Sequence, residues 1–475
     1  MRPYLRSRAV RLALAGAAVA GAAAVLISSL AGGGLAPVPL PGIGRPARAG
    51  DPFAYEPSRQ AEFEARATAG SAHVLFTKSP GGAQATAARV AGLRKLVDRA
   101  SAGSGVDPNT LEALVFVESA GRPQVIAGSD PSAAAGLTQI LAQTGQALLG
   151  MHIDLAASRR LTTAIYRADA LGETGLVARL LAQRARIDDR FDPAKALAAC
   201  VRYLRLARQR FGRPDLAVVS YHMGIGNLQQ VLDDYDGGRA VPYAQLYFDA
   251  APDRNRSAYE LLSGFGDDSS LYYWRVLGAI QIMRLYRSDP SALGRLTNLQ
   301  TEADSTAAVL HPPDRTPSFA DPGELAAAYA SRAVLPLPSN AAQLGLAYDS
   351  GMGSLAGKVG APVALYRGLR PAALDLLIEL AARVRDLSGV KAPLTVSSTV
   401  ADQRYLNQLG VSDPPTATGY TFQLERSYAS RAQAVALQAM LDRLQALNLI
   451  AWTRQPLTIE VTAASDASQA IVNGP

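Results

Sequence analysis

Residues 107–119 read Asp-Pro-Asn-Thr-Leu-Glu-Ala-Leu-Val-Phe-Val-Glu-Ser, a pattern that could carry acid–base chemistry. On a helix starting at Pro108, the residues Leu111, Leu114, Val115 and Glu118 share one face, and Glu112 is expected to point away. A carboxyl set in an apolar stripe is desolvated, which disfavours its charged form and raises its pKa. That is what a general acid needs if it is to hold a proton near neutral pH. A buried glutamate neutralised by an arginine has the same pattern, so this helix alone leaves both readings open. Histidine is confined to His73, His152, His222 and His311, and Cys200 is the one cysteine. No multi-histidine metal site can be built from the chain after His311.

The elements that must hold Glu118 are mainly helical. Apolar residues recur at three- and four-residue spacing over 83–102, 107–119, 136–149, 170–186, 193–211, 214–221 and 271–287, which predicts helices there. Asp107-Pro108 and Asp192-Pro193 each set a capping carboxylate before a proline at the first helical position, where its missing N–H costs nothing. Residues 291–345 are rich in Asp-Pro, His-Pro-Pro and Leu-Pro steps and read as a linker. A smaller α+β unit is expected over 346–464: a helix at 371–388, a strand from Leu394, a helix at 429–447 and an edge-type strand from Leu457. Residues 465–475 are left as a tail.

Further motifs follow the glutamate in order. They are Glu118-Ser119, Gly136-Leu-Thr-Gln139-Ile140, Ala217-Val-Val-Ser-Tyr221-His-Met-Gly224 and Leu271-Tyr272-Tyr-Trp-Arg275-Val276. The set resembles the lytic transglycosylase domain of the soluble (SLT, goose-lysozyme-like) family, whose motifs run glutamate-serine, Gly-Leu-Met-Gln, Ala-Tyr-Asn-Ala-Gly and Asn-Tyr-Val. The likeness covers roughly residues 83 to 290, within a domain bounded at 58–290. It implies a lysozyme-like helical fold that cuts the β-1,4 bond between N-acetylmuramic acid and N-acetylglucosamine in peptidoglycan. Glu118 would be the sole acid and base and would leave a 1,6-anhydro end; the resemblance then implies neither the paired carboxylates of ordinary glycosidases nor a metal or cofactor. Ser119, Gly136, Gln139, Tyr221 and Tyr272 match motif positions and are the implied substrate-binding residues, with Gly136 leaving room for the sugar. His222-Met223 replaces Asn-Ala of the family pattern. The interval from Gln139 to Asp192 is also longer than the compact pattern and implies an extra helix.

Composition places this chemistry outside the cytoplasm. An apolar fraction of 48% excludes a disordered chain, and a mean hydropathy of +0.05 excludes a multi-span membrane protein. Of the cations behind the net charge of +7, Arg2, Arg6, Arg8 and Arg11 precede an uncharged run at 12–31. Residues 1–31 therefore read as a signal peptide, or as a signal anchor that ties the protein to the membrane if it stays uncut. Residues 32–57 are a Pro/Gly-rich linker. The basic excess belongs to export, so a nucleic-acid partner is not expected.

The carboxy-terminal unit resembles a zinc D,D-peptidase of the VanY/hedgehog type, on Tyr366-Arg-Gly-Leu-Arg370-Pro371, Leu394-Thr-Val-Ser-Ser with Arg404, Gly419 and Trp452. Thr416, Gln423 and Thr458 stand near its ligand positions, so the likeness implies a degenerate domain without zinc that keeps affinity for stem peptides or cell-wall proteins. An unrelated α+β module fits the same residues. For the whole chain, two rivals to the transglycosylase remain. One is a hydrolytic lysozyme using Asp130 to activate water, and the other a non-catalytic peptidoglycan-binding scaffold.

Overall fold

A computed structural model describes residues 50–302, 305–411 and 415–474. The expected export segment and most of the Pro/Gly linker lie outside the described residues. Among the described residues no helix is long and apolar enough to cross a membrane. Contacts divide the described residues into a helical unit, Leu75–Tyr247 with Ser257–Thr297, and a mixed unit that combines those up to Val74 with Phe248–Arg256 and those from Asn298 onward.

In the helical unit, the helix Pro108–Ser119 packs against Ala83–Ala91, Arg94–Ser101 and Tyr272–Ser288. Its start is set as its sequence implies: the Asp107 carboxylate accepts from the N–H of Asn109 at 3.2 Å and of Thr110 at 3.1 Å. Asp192 does the same for Pro193–Phe211, the long helix that packs on Pro214–Met223. The expected helix over 136–149 shrinks to Ala142–Ala147. Ahead of it the chain makes a tight turn, with Gly136 at φ 79° and Gln139 at φ 48°, values no α-helix tolerates. The insertion before Asp192 is a helical pair, Leu155–Ala170 packed on Thr174–Ile187, where the periodicity implied one helix from 170.

The mixed unit is an α+β assembly. Strands β1 (Leu335–Pro336) and β3 (Gly368–Leu369) form a small antiparallel pair. Strands β2 (Leu346–Tyr348), β4 (Leu394–Ser398), β5 (Thr421–Glu425), β6 (Ile450–Arg454) and β7 (Thr458–Ala463) form a sheet of order β2-β4-β5-β7-β6. The first pairing is parallel and the rest antiparallel. The helices Pro371–Ser388 and Arg431–Ala446 pack on each other and against the sheet, burying Leu376, Leu377, Leu380, Val396, Phe422 and Val461. Strand β7, expected at an edge, lies between β5 and β6. Its alternation reflects two differently packed faces rather than an open side.

Three stretches outside 346–464 are built into this unit. Within 291–345, the helices Ser305–Leu310 and Pro322–Ala330 bury Val309, Leu310 and Leu325, so the proline-rich segment is folded rather than a linker. The tail forms the helix Ala467–Val472 against Pro371–Ser388, with Ser468 Oγ donating to Asp375 at 2.6 Å. The helix Gln60–Gly70 sits here rather than with the helical unit. A Cβ at Gly70 would lie 2.6 Å from the carbonyl oxygen of Gln445, and Arg66 pairs with Asp466 at 2.9 Å.

Candidate active site

Glu118 occupies the last turn of Pro108–Ser119, just before Ala120 turns left-handed at φ 54°. Its residue surface is partly open, while its carboxyl is desolvated by burial. Burial pushes its pKa from 4.5 up to about 7, and the hydroxyl of Tyr272, which donates to Oε1, pulls the other way without overcoming it. The partial negative charge at a helix C-terminus also disfavours an ionised carboxylate there. Tyr272 is delivered by the first residue of Tyr272–Ser288, whose body packs along the Glu118 helix. The buried Trp274 and Tyr243 fix the start of that helix through their tilted ring contact at 5.4 Å.

Glu112 does not point away. It is fully buried and accepts from Arg94 at 3.3 Å and from Arg287 on the Tyr272 helix. The reason is packing on both sides of the helix: with neighbours on several faces, the stripe drawn from Leu111 and Leu114 is only part of the buried surface. Two glutamates six positions apart thus meet opposite environments. Glu112 is neutralised by two guanidinium groups, and Glu118 faces a phenol.

The other sequence-derived positions gather around the turn that follows. A side chain at Gly136 would place its Cβ 1.8 Å from the carbonyl oxygen of Arg190, so close approach of protein backbone already explains that glycine. Gln139 spends its amide nitrogen on its own turn, donating to Gly136 O at 2.8 Å and Val125 O at 3.2 Å. Tyr221 donates to Thr138 O at 2.7 Å, and its ring meets Tyr203 edge-on at 5.1 Å. Beneath it lies Cys200, a thiol that burial pushes up to about 12 and so keeps inert. Ser119 is buried and returns its hydroxyl to Val115 O at 3.2 Å. Of the six positions, Glu118 and Tyr272 touch each other; Gly136, Gln139 and Tyr221 hold the turn together, and Ser119 bonds to its own helix. His222 lies 5.1 Å from the Tyr272 ring, centroid to centroid, and shares a hydrogen bond with Ser269 at 3.1 Å. Burial lowers its pKa, so the neutral imidazole is favoured beside the acid.

Sequence reasoning missed the clamp that holds this turn. Asp188 and Arg190 form a fully buried ion pair at 2.7 Å, with Ser158 Oγ donating to the same carboxylate at 2.8 Å. Arg190 also donates to Ala133 O at 3.1 Å and Ile140 O at 3.4 Å, spanning both ends of the Gly136 turn. In sequence, Asp-Asp-Arg in a polar run looks like surface, and no periodicity marks it.

The transglycosylase SLT domain matches residues 95–162 and 175–239, a span that contains Glu118, the Gly136 turn and Tyr221. This chain carries a transglycosylase SLT domain. The unmatched residues 163–174 fall on the end of Leu155–Ala170 and the turn after it, so the break coincides with the helical insertion. A search of curated proteins returned no match to the chain. The SLT domain supports lytic transglycosylase activity on peptidoglycan.

In the mixed unit, Thr416 and Gln423 line a cavity of 580 Å³, together with Glu460 from β7. Gln423 Nε2 donates to Glu460 at 3.1 Å. Thr458 is not among the lining residues.

Proposed function

We propose that the SLT domain cleaves the MurNAc-β-1,4-GlcNAc bond of peptidoglycan with Glu118 as its one acid and base, leaving a 1,6-anhydro-MurNAc end. The observation that carries this reading is the carboxyl of Glu118, raised to about 7 by burial and oriented by the Tyr272 hydroxyl. At that pKa an appreciable fraction holds a proton at neutral pH. Glu118 gives this proton to the leaving glycosidic oxygen as the bond to C1 breaks. The carboxylate so formed then accepts the proton of the muramyl C6 hydroxyl as that oxygen bonds to C1. The cycle closes with the glutamate protonated again, and no water is consumed. Tyr272 stabilises the carboxylate between the two transfers.

A hydrolytic lysozyme needs a second carboxylate to activate water, and Asp130 fits that task poorly. Hydrogen bonds from Ser132 and the ion pair with Arg159 at 2.8 Å hold its pKa down at about 2, which makes it a weak base. A purely binding scaffold leaves a desolvated acid without a purpose. We place the enzyme outside the cytoplasm, through the cationic, apolar amino terminus. The test is mass spectrometry of muropeptides released from purified sacculi. Anhydro ends, lighter by one water than hydrolysed ends, are expected from the native chain and not from Glu118→Gln; hydrated ends would overturn the lyase chemistry.

A further inference from the structure

We propose that the helical pair inserted before Asp192 is a second docking surface for the glycan strand, one that holds the strand's negative charge on rows of arginines away from Glu118. The inference rests on the peptidoglycan substrate proposed above and adds to it a surface outside the catalytic turn.

The pair Leu155–Ala170 and Thr174–Ile187, with the turn that joins them, holds six arginines against two carboxylates, Asp169 and Glu173. Two of the six are engaged within the fold. Arg159 pairs with Asp130 at 2.8 Å, and the buried Arg184 donates to Thr162 at 2.9 Å and to Gln124 at 2.8 Å. The other four, Arg160, Arg167, Arg179 and Arg186, are exposed and form no ion pair among the described residues. No acid stands three or four positions from Arg160, Arg167 or Arg179, so pairing along the helix cannot neutralise them. Asp189, three positions after Arg186, is taken by Lys195 at 2.7 Å.

Helical spacing sets these four in rows. The first helix buries Ser158, Thr162, Ile165 and Ala168, and Arg160 and Arg167 fall on the side away from them. Seven residues separate the two, about 10 Å along the axis. In the second helix the buried position is Arg184, and Arg179 and Arg186 again stand seven apart on the far side. The base of the pair is fixed to the turn beside Glu118. Asp154 N–H donates to Ile187 O at 2.8 Å across the two arms, and Ser158 Oγ reaches Asp188 of the buried clamp.

Exposed cations in rows, without internal partners, suit a linear polyanion. A peptidoglycan strand is one, because the branches on its muramyl residues carry carboxylates, and a polymer cut at Glu118 continues past the cleft. Holding it on the helical pair raises its effective concentration at the acid. An anionic bilayer fits less well: it would meet the tip first, and the tip carries Asp169 and Glu173.

Sedimentation with purified sacculi tests the surface, using the full chain with Glu118→Gln so that strands are held and not cut. Arg160→Gln, Arg167→Gln, Arg179→Gln and Arg186→Gln combined should weaken binding roughly tenfold, since each exposed pair is worth a factor of about 1.5–5. The fourfold change should also flatten the fall of binding with salt and leave the melting temperature unchanged. Sacculi whose carboxylates have been converted to neutral amides should bind both chains equally weakly. An unaffected fourfold variant, equal binding of native and amidated sacculi, or tighter binding to vesicles of anionic phospholipid would each overturn the proposal. With Glu118 intact, the fourfold variant should cleave amidated sacculi at the native rate; a loss there would make the arginines supports of the cleft and refute the docking role. Sacculi held through the arginines but left uncut by the native chain would sink the cleavage reading and leave this surface standing.

Discussion

Replacing Glu118 by Gln should make the protein more stable in base and not in acid, a consequence of the raised pKa that needs no substrate to observe. In the native fold the carboxyl titrates at about 7, against 4.5 for the ordinary group. A group whose folded pKa lies above its unfolded value favours folding fully below 4.5 and loses that contribution as pH rises through 7. Above pH 7 the native chain therefore carries a penalty that the amide lacks. Two and a half pKa units correspond to about 3 kcal/mol. The residue is partly open to water, so screening brings the expectation to roughly 1–3 kcal/mol. For a unit of this size, each kcal/mol moves the melting temperature by about 2–4 °C. Calorimetric melts of native and Glu118→Gln protein should thus diverge by a few degrees at pH 8, the variant higher, and converge at pH 4. Turnover of sacculi should fall at least ~10²-fold at the same time, because the amide has no proton to transfer. If the stability difference is the same at both pH values, Glu118 is not a desolvated acid and the reasoning fails.

Other perturbations separate chemistry from scaffold. Tyr272→Phe removes a donor that favours the charged carboxylate, so the pKa should rise further and the pH–rate profile should move to higher pH, read from initial rates between pH 5 and 9. Glu112→Gln strips a buried partner from Arg94 and Arg287; because both arginines can turn to water, a loss of about 1–3 kcal/mol in urea unfolding is expected, with residual activity intact at low temperature. Gly136→Ala meets the Arg190 carbonyl oxygen with no flexible neighbour to yield, so the variant should be recovered poorly or melt well below the native protein. Asp188→Asn leaves the Arg190 cation buried without its counter-charge and should cost about 3–5 kcal/mol in the same unfolding assay.

What could be read beforehand follows the range of the forces involved. Asp107-Pro108 and Asp192-Pro193 act within four residues, and both caps formed as their sequence implies. The helix at 193–211 buries one dominant face, which periodicity detects, and its observed bounds agree; the apolar runs at 214–221, 271–287 and 371–388 also form helices within two residues of those bounds, though they are buried on several sides. Where a helix is surrounded, as Pro108–Ser119 is, periodicity stops ranking its polar positions, and Glu112 was misplaced for that reason. The clamp of Asp188 and Arg190 was illegible because its meaning lies in carbonyl oxygens of residues 133 and 140, some fifty positions away. The same holds for Gly136: its type suggested room for a sugar, whereas a backbone fifty-four positions on occupies that space.

The proposed site divides into a short chemical part, visible from Glu118 and Tyr272, and a supporting part that only the fold reveals. The division has a mechanistic reason. A general acid must be desolvated enough to keep its proton yet stay reachable by a polymer. Its walls must then be rigid without presenting a charge that would neutralise it. The Gly136 turn meets that need by spending the charges of Asp188 and Arg190 on each other, buried beneath the turn, and by tying Gln139 and Tyr221 to carbonyl oxygens. Glu112 shows the alternative, a carboxylate on the same helix disarmed by two arginines. Placing a cation within reach of Glu118 would favour its charged form, lower its pKa and remove the proposed acid, however well the turn were kept.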